Sequence, residues 1–153
     1  MHIPAKVEYG LRALFTLAEL GTPQTAESLA DAQELPSKFL GAILADLRRA
    51  GIVTSQRGAE GGYRLARPAE EISLADVMRA LDGPLLEVRG LRSEQTQYHG
   101  SAAHLQEVWV AARAALRSVL ERVTLADVVT GEFREDLKAL LEEPENWVPH
   151  VPH

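Results

Sequence analysis

The stretch PSKFLGAILADLRRAGIVTSQRGAEGGYRLA, residues 36–66, carries two periodicities in immediate succession. Phe39, Leu40, Ile43, Leu44 and Leu47 recur at the spacing of one helical face, while Asp46, Arg48 and Arg49 lie off that stripe. The spacing predicts a helix that opens at Pro36 or Ser37, where a missing N–H costs nothing, and stops at Gly51. Then the period changes. Ile52–Arg57 and Tyr63–Ala66 are short β-prone runs on either side of Gly58-Ala-Glu-Gly-Gly62, which reads as a hairpin with a glycine-rich tip.

Toward the N-terminus, Leu11, Leu14, Phe15 and Ala18 place a helix over Ala5–Leu20, ended by Gly21 and Thr22-Pro23. A short helix over Ala26–Ala32 follows, capped by Thr25, and Gln33–Leu35 connects it onward. Two helices joined by such a turn form a helix-turn-helix, and the hairpin behind them is the wing of a winged helix. Toward the C-terminus, Ser73-Leu-Ala-Asp76 caps a helix that ends at Asp82 before Gly83-Pro84. The expected fold class is mainly α with a small β-hairpin: a winged helix-turn-helix DNA-binding domain over residues 1–83, with a long dimerisation helix beyond it.

Residues 84–103 show little periodicity and read as a linker or loop. Leu105, Val108, Trp109, Ala112, Leu116, Val119, Leu120 and Val123 form a sustained stripe on a helix from about Ala102 to Val123. Such a helix buries its stripe against a second copy of the chain, or folds back over its own domain. Residues 104–130 are read as this dimerisation helix and a short following helix opened by Thr124-Leu-Ala-Asp127. Residues 131–153 are read as a C-terminal helix and flexible tail.

The 153 residues are 46% hydrophobic and 25% charged, which suits a globular chain able to bury a core without staples. There is no cysteine, which excludes a disulfide scaffold, a catalytic thiol, a thiolate zinc site and a cysteine-ligated iron–sulfur cluster. No apolar run approaches ~18 residues, and the start MHIPAKVEYG lacks a secretory signal pattern, so the expected location is the cytoplasm, away from membrane. With no phosphate-binding loop and no nucleophile–base pair, an enzyme is not expected. His99, His104 and Glu107 are the nearest approach to a metal site, and ordinary surface histidine is the plainer reading. The net charge of −6 argues against nucleic acid in bulk. Yet within residues 37–67, Lys38, Arg48, Arg49, Arg57, Arg64 and Arg67 stand against only Asp46 and Glu60, a local balance of +4. That is the footprint of a DNA reader, or a chance excess of surface arginine.

In these segments the chain resembles the Rrf2 family of bacterial winged-helix transcription regulators. The resemblance is carried by Tyr9-Gly-Leu-Arg-Ala-Leu, by the Pro36–Gly51 helix, by Ser55-Gln-Arg-Gly-Ala-Glu-Gly-Gly-Tyr-Arg-Leu-Ala66, by Ile72-Ser-Leu-Ala-Asp-Val and Leu81-Asp-Gly-Pro, and by Thr124-Leu-Ala-Asp-Val. It covers about residues 3–130, and the Arg-Gly-x-x-Gly-Gly-Tyr wing is its most specific part. The resemblance implies a homodimeric regulator, a repressor, on a palindromic operator. Its recognition helices would enter major grooves, its wing tips the adjacent minor grooves, and its long helix would cross that of its partner. Many relatives hold an iron–sulfur cluster on three cysteines between the fifth helix and the dimer helix. The matching stretch here, Pro84–His104, has none, which places the chain nearer the cluster-free, CymR-like branch than the IscR- or NsrR-like members. No cofactor and no metal are expected. Glu8, where some relatives place an unusual cluster ligand, reads as a surface or salt-bridging acid. A partner enzyme, or a small-molecule effector between the linker and the dimer helix, stays open. So does a winged helix that serves protein contacts with weak or no DNA binding.

The residues expected at DNA are Ser37, Lys38, Arg48, Arg49, Arg57, Gly58, Gly61 and Gly62. Lys38 would reach a phosphate or a guanine edge, or be simply solvated; Ser37 would donate to a phosphate at the helix N-terminus, or cap the helix. Arg48 and Arg49 would serve DNA or the helix dipole. Gly41 and Ala42 stand where relatives carry longer base-reading side chains, which leaves specificity to Ser37, Lys38 and DNA shape. Arg57, beside the glycine turn, is the leading candidate for insertion into a narrow minor groove. The wing glycines would let the backbone approach closely, and Tyr63 would pack beneath the wing.

Overall fold

The structure, a computed structural model, describes residues 1–152. Three helices come first: α1 (Ala5–Leu20), α2 (Ala26–Gln33) and α3 (Ser37–Arg49). The antiparallel strands β1 (Val53–Gln56) and β2 (Gly62–Leu65) follow, then α4 (Leu74–Asp82). A short ribbon of β3 (Glu87–Val88) and β4 (Leu91–Arg92) leads to α5 (Leu105–Leu120), α6 (Leu125–Thr130) and α7 (Glu135–Glu142). This is the mainly helical, winged architecture read from the sequence.

The apolar stripes of α1 to α4 meet in one core, in which Leu14, Leu29, Leu40, Leu44, Leu47, Ile72 and Val77 are fully buried. Each buried leucine contributes roughly 1.5–3 kcal/mol of transfer free energy, so this core is the main stabilising term. Polar contacts set the angle of the helix-turn-helix. Arg12 donates to the Gln33 carbonyl and to Gln33 Oε1 (3.3 Å), and Gln33 Nε2 donates to Thr16 Oγ1 (2.9 Å), which fastens the end of α2 to α1. Thr25 Oγ1 accepts the Ser28 N–H (3.1 Å) and opens α2 as its cap. Glu8 is an exposed acid paired with Arg12 at 3.4 Å.

In the hairpin, Val53 faces Leu65 and Ser55 faces Tyr63, while Thr54 and Arg64 share the outer face. Tyr63 and Leu65 pack on the core from beneath the wing. Gln24 adds a third edge: its N–H donates to the Tyr63 carbonyl (2.9 Å) and its carbonyl accepts the Tyr63 N–H (2.7 Å).

The similar sequences at Ser73 and Thr124 are paired in space. Each forms a full capping box: Ser73 with Asp76 at 3.1 and 3.0 Å, Thr124 with Asp127 at the same distances. The two caps bridge each other, with Leu74 N–H donating to Val123 O and Leu125 N–H to Ile72 O, both at 2.9 Å. The winged unit, delimited at residue 83 by sequence, thus also draws its core from Leu125, which is fully buried.

Residues 84–103 hold more order than a linker needs. Arg89 and Gly90, both at positive φ, turn the β3–β4 ribbon, and 3-10 turns span Ser93–Gln95 and Gly100–Ala102. The segment lies along α5. Gln106 Nε2 donates to the carbonyls of Glu94 (3.0 Å) and Thr96 (2.6 Å), Trp109 Nε1 to Tyr98 Oη (2.9 Å), and Arg113 pairs with Glu94. At the other end, Asn146 and Trp147 donate to the carbonyls of Leu140 (2.8 Å) and Leu141 (2.7 Å), so the start of the proline-rich tail closes α7 in a 3-10 turn.

Candidate nucleic-acid interface

Among the described residues, ten of the sixteen lysines and arginines lie within 4.0 Å of a carboxylate. The six that do not are Lys38, Arg48, Arg57, Arg64, Arg89 and Arg92, and four of these belong to α3 and the wing. The local charge of +4 is therefore distributed in a specific way. Arg67 lies against Asp76 (3.9 Å) and the Glu71 carbonyl (3.2 Å) on the surface, and Arg49 is neutralised by Asp46 one turn back on α3. The remaining cations keep their full field for an external anion.

At the start of α3, Pro36 is the N-cap and no side chain caps the helix. Ser37 therefore does not cap; its hydroxyl is exposed and makes no hydrogen bond within the described residues, so it and the open N–H groups face solvent at the positive end of the helix dipole. Lys38 is exposed, with its ammonium 5.1 Å from the Phe39 ring centre. Phe39 corrects the sequence reading. It is 53% exposed, because its position lies about a quarter of a turn from the centre of the stripe of Leu40, Ile43, Leu44 and Leu47 that the core takes up. With 3.6 residues per turn, Lys38, Gly41, Ala42, Ala45 and Arg49 form the centre of the exposed face. Short side chains fill its middle, so the helix axis can come close to whatever it meets. A Cβ on Gly41 would touch nothing within 4 Å. Gly41→Ala is accordingly expected to raise stability by about 0.5–1 kcal/mol through helix propensity, seen as a higher thermal midpoint.

Arg48 Nη1 donates to Ser55 Oγ (3.3 Å), which ties the end of α3 to β1. At the wing tip Arg57 is exposed and forms no ion pair or side-chain hydrogen bond among the described residues. Gly58, at φ +108 with open space where a Cβ would be, leaves the tip accessible, and Gly61 N–H closes the turn onto Gly58 O (3.0 Å). Gly61 and Gly62 have internal reasons to be glycine. A Cβ on Gly61 would overlap the Gln56 carbonyl, and one on Gly62, at φ +136, would sit 2.6 Å from Gln24 O. Sequence reasoning missed the Gln24 contact, since nothing in a one-dimensional pattern links residue 24 to residue 62.

On α5 the structure separates the predicted stripe into two faces. Leu105, Trp109, Leu116 and Leu120 are half-buried, with Trp109 bonded to Tyr98 and Leu120 packed on the core, so this side meets the chain's own fold. Val123 lies past the end of the helix and is 6% exposed within its own chain, its carbonyl occupied by Leu74 N–H. Ala112 and Val119 are half-buried as well, Val119 lining a cleft with Leu137 and Leu140 of α7, while Val108 is the exposed member of the stripe, beside Ala111 and Ala115. Val108 is 55% exposed there, and no residue of α5 is buried.

His104 Nδ1 lies 3.2 Å from Glu107 on the surface, and no group of three or more His, Asp or Glu side chains converges among the described residues. No helix is long and apolar enough to cross a membrane.

The family model of Rrf2, described as "Iron-dependent Transcriptional regulator", matches residues 3–131. An HTH-type transcriptional regulator of Mycobacterium tuberculosis is 47% identical over 145 residues, 94% of this chain and 90% of that protein. The HTH-type transcriptional regulator CymR of Bacillus subtilis is 33% identical over 132 residues, 85% of this chain and 91% of that one. Among solved structures, CymR, the global cysteine regulator of B. subtilis, superposes with a TM-score of 0.73 at 31% identity, covering 87% of this chain and 99% of that one. IscR of T. potens gives 0.68 at 30% identity over 91% and 96%. The iron of the family description meets no thiolate ligand here, since the chain has no cysteine, and the donor set does not fit a cysteine-bound cluster.

Proposed function

The chain belongs to the Rrf2 family of DNA-binding transcriptional regulators, and from that premise we propose that it is a homodimeric repressor, without enzymatic activity or an iron–sulfur cluster, that reads a palindromic operator in the cytoplasm. The observation that carries the reading is the distribution of free cations. Arg57 at the wing tip, with Lys38, Arg48 and Arg64, stands unpaired on a chain whose other cations, two on the β3–β4 ribbon excepted, are matched to carboxylates. In this reading Lys38 and Ser37 hold the backbone at the major groove and Arg57 enters the adjacent minor groove. Two copies joined through the Val108 face of α5 would present their α3 helices to half-sites one helical turn, ~34 Å, apart.

The test is the salt dependence of duplex binding, read by fluorescence anisotropy. Several phosphate contacts per copy predict a loss of roughly 10³-fold or more in affinity between about 50 and 200 mM salt. A flat salt response favours a protein-contact module instead. On a palindromic operator duplex, Arg57→Ala is expected to cost about 1–3 kcal/mol of binding while leaving the melting curve unchanged. Wild-type affinity in that variant would remove Arg57 from the interface.

A further inference from the structure

Beyond the DNA-reading face, the arginines gather once more. A cleft of about 310 Å³ between α4, the ribbon segment and α5 is lined by Arg79, Arg92, Arg113 and Arg117, with Glu94 and Leu85. That volume suits a small metabolite. The internal pairing is incomplete. Arg79 and Arg117 (3.6 Å) share the single carboxylate of Glu121, and Arg113 takes Glu94. Arg92 has no carboxylate within 4.0 Å among the described residues, although Glu87 is its cross-strand neighbour and its charge is felt at Glu94. Four guanidiniums thus meet two carboxylates within 4.0 Å, and the concave wall carries an excess of positive charge. Hydrogen bonds from its own backbone N–H and from Arg113 hold the Glu94 carboxyl below the usual carboxylate range, so protonation of Glu94 does not alter this balance at neutral pH. The Arg113 side chain is 14% exposed and its Nε–H is buried without an acceptor. Buried donors of this kind are rare, and guanidinium forks match the oxygens of phosphates and carboxylates.

We propose that this cleft binds a small multivalent anion, a phosphate ester or a di- or tricarboxylate, with Arg92 as the guanidinium still free and Arg79, Arg113 and Arg117 completing the positive wall. A ligand there bridges α4 of the winged unit to α5. Its regulatory meaning rests on the DNA-binding, dimeric reading above, because α5 then spaces the two wings; the binding itself does not, and is measured without DNA.

The experiment is calorimetric titration of the full chain with pyrophosphate and, separately, with citrate at physiological salt. At least one is expected to bind at one per chain, and the tighter of the two assigns phosphate or carboxylate chemistry. Arg92→Ala on β4, and independently Arg117→Ala on α5, should weaken it about 10-fold or more, as loss of a charge-assisted hydrogen bond does. Arg89→Ala removes the same charge three residues away, outside the cleft lining, and should leave affinity within about 2-fold. Binding of neither anion overturns the proposal. So does equal weakening by Arg89→Ala and Arg92→Ala, which marks diffuse screening.

Discussion

Val108→Asp is expected to split the dimer and to lower operator affinity by roughly two orders of magnitude or more. Val108 is 55% exposed in the single chain, so the substitution disturbs no contact within its own fold. A two-fold interface through α5 repeats every contact, and the variant would bury a carboxylate twice, with no cation provided to meet it. Burying an unpaired charge costs several kcal/mol, which few interfaces tolerate. A monomer then holds one half-site alone and loses the gain of about 10²–10⁴ that linked sites give. Sedimentation velocity reads the mass, and anisotropy on the operator reads the affinity. The thermal midpoint, extrapolated to low concentration, should match that of the wild-type chain, because the core of α1 to α4 is untouched. A dimeric Val108→Asp with full operator affinity would place the interface elsewhere.

Gly62→Val is expected to cost roughly 2–6 kcal/mol of stability and to loosen the wing. Two penalties add. A β-branched residue at φ +136 is strained by about 1–3 kcal/mol, and the new Cβ would sit 2.6 and 2.7 Å from the backbone oxygen and carbon of Gln24. Neither can retreat easily, since the Gln24 peptide is bonded on both sides to Tyr63. Overpacking against backbone typically costs a further ~1–3 kcal/mol. Denaturant unfolding measures the total, and amide exchange at Tyr63 locates it. A Gly62→Val variant as stable as the wild type would mean that the Gln24 edge does not hold the wing. Gly58→Ala makes the contrast: its Cβ meets open space, so only the positive φ is penalised.

Where the sequence spoke clearly, one physical signal dominated. Leu40, Ile43, Leu44 and Leu47 repeat strongly enough to define α3, and glycine placement alone marks the wing turn. Capping chemistry at Ser73 and Thr124 located two helix starts to the residue. What stayed hidden depended on contacts distant in sequence. The likeness of the two caps gave no sign that they bridge each other, and with them Leu125 enters the core. The apolar stripe of α5 was legible, but its division was not. Which side meets Tyr98, Thr96 and Glu94 depends on how residues 87–98 fold back, and that segment has no periodicity to read. On α3 and the wing, the residue types were visible and the pairing was not. Only the structure shows that Arg49 and Arg67 are already matched while Arg57 and Arg64 are free.

The most direct test of a two-fold DNA reader is selection of bound duplexes from a random pool with the purified chain, followed by sequencing. The expected result is an enriched palindrome whose half-sites are centred about one helical turn apart, protected at both by the wild-type protein. Absence of any enriched sequence at low salt, or an enriched site without two-fold symmetry, would contradict it.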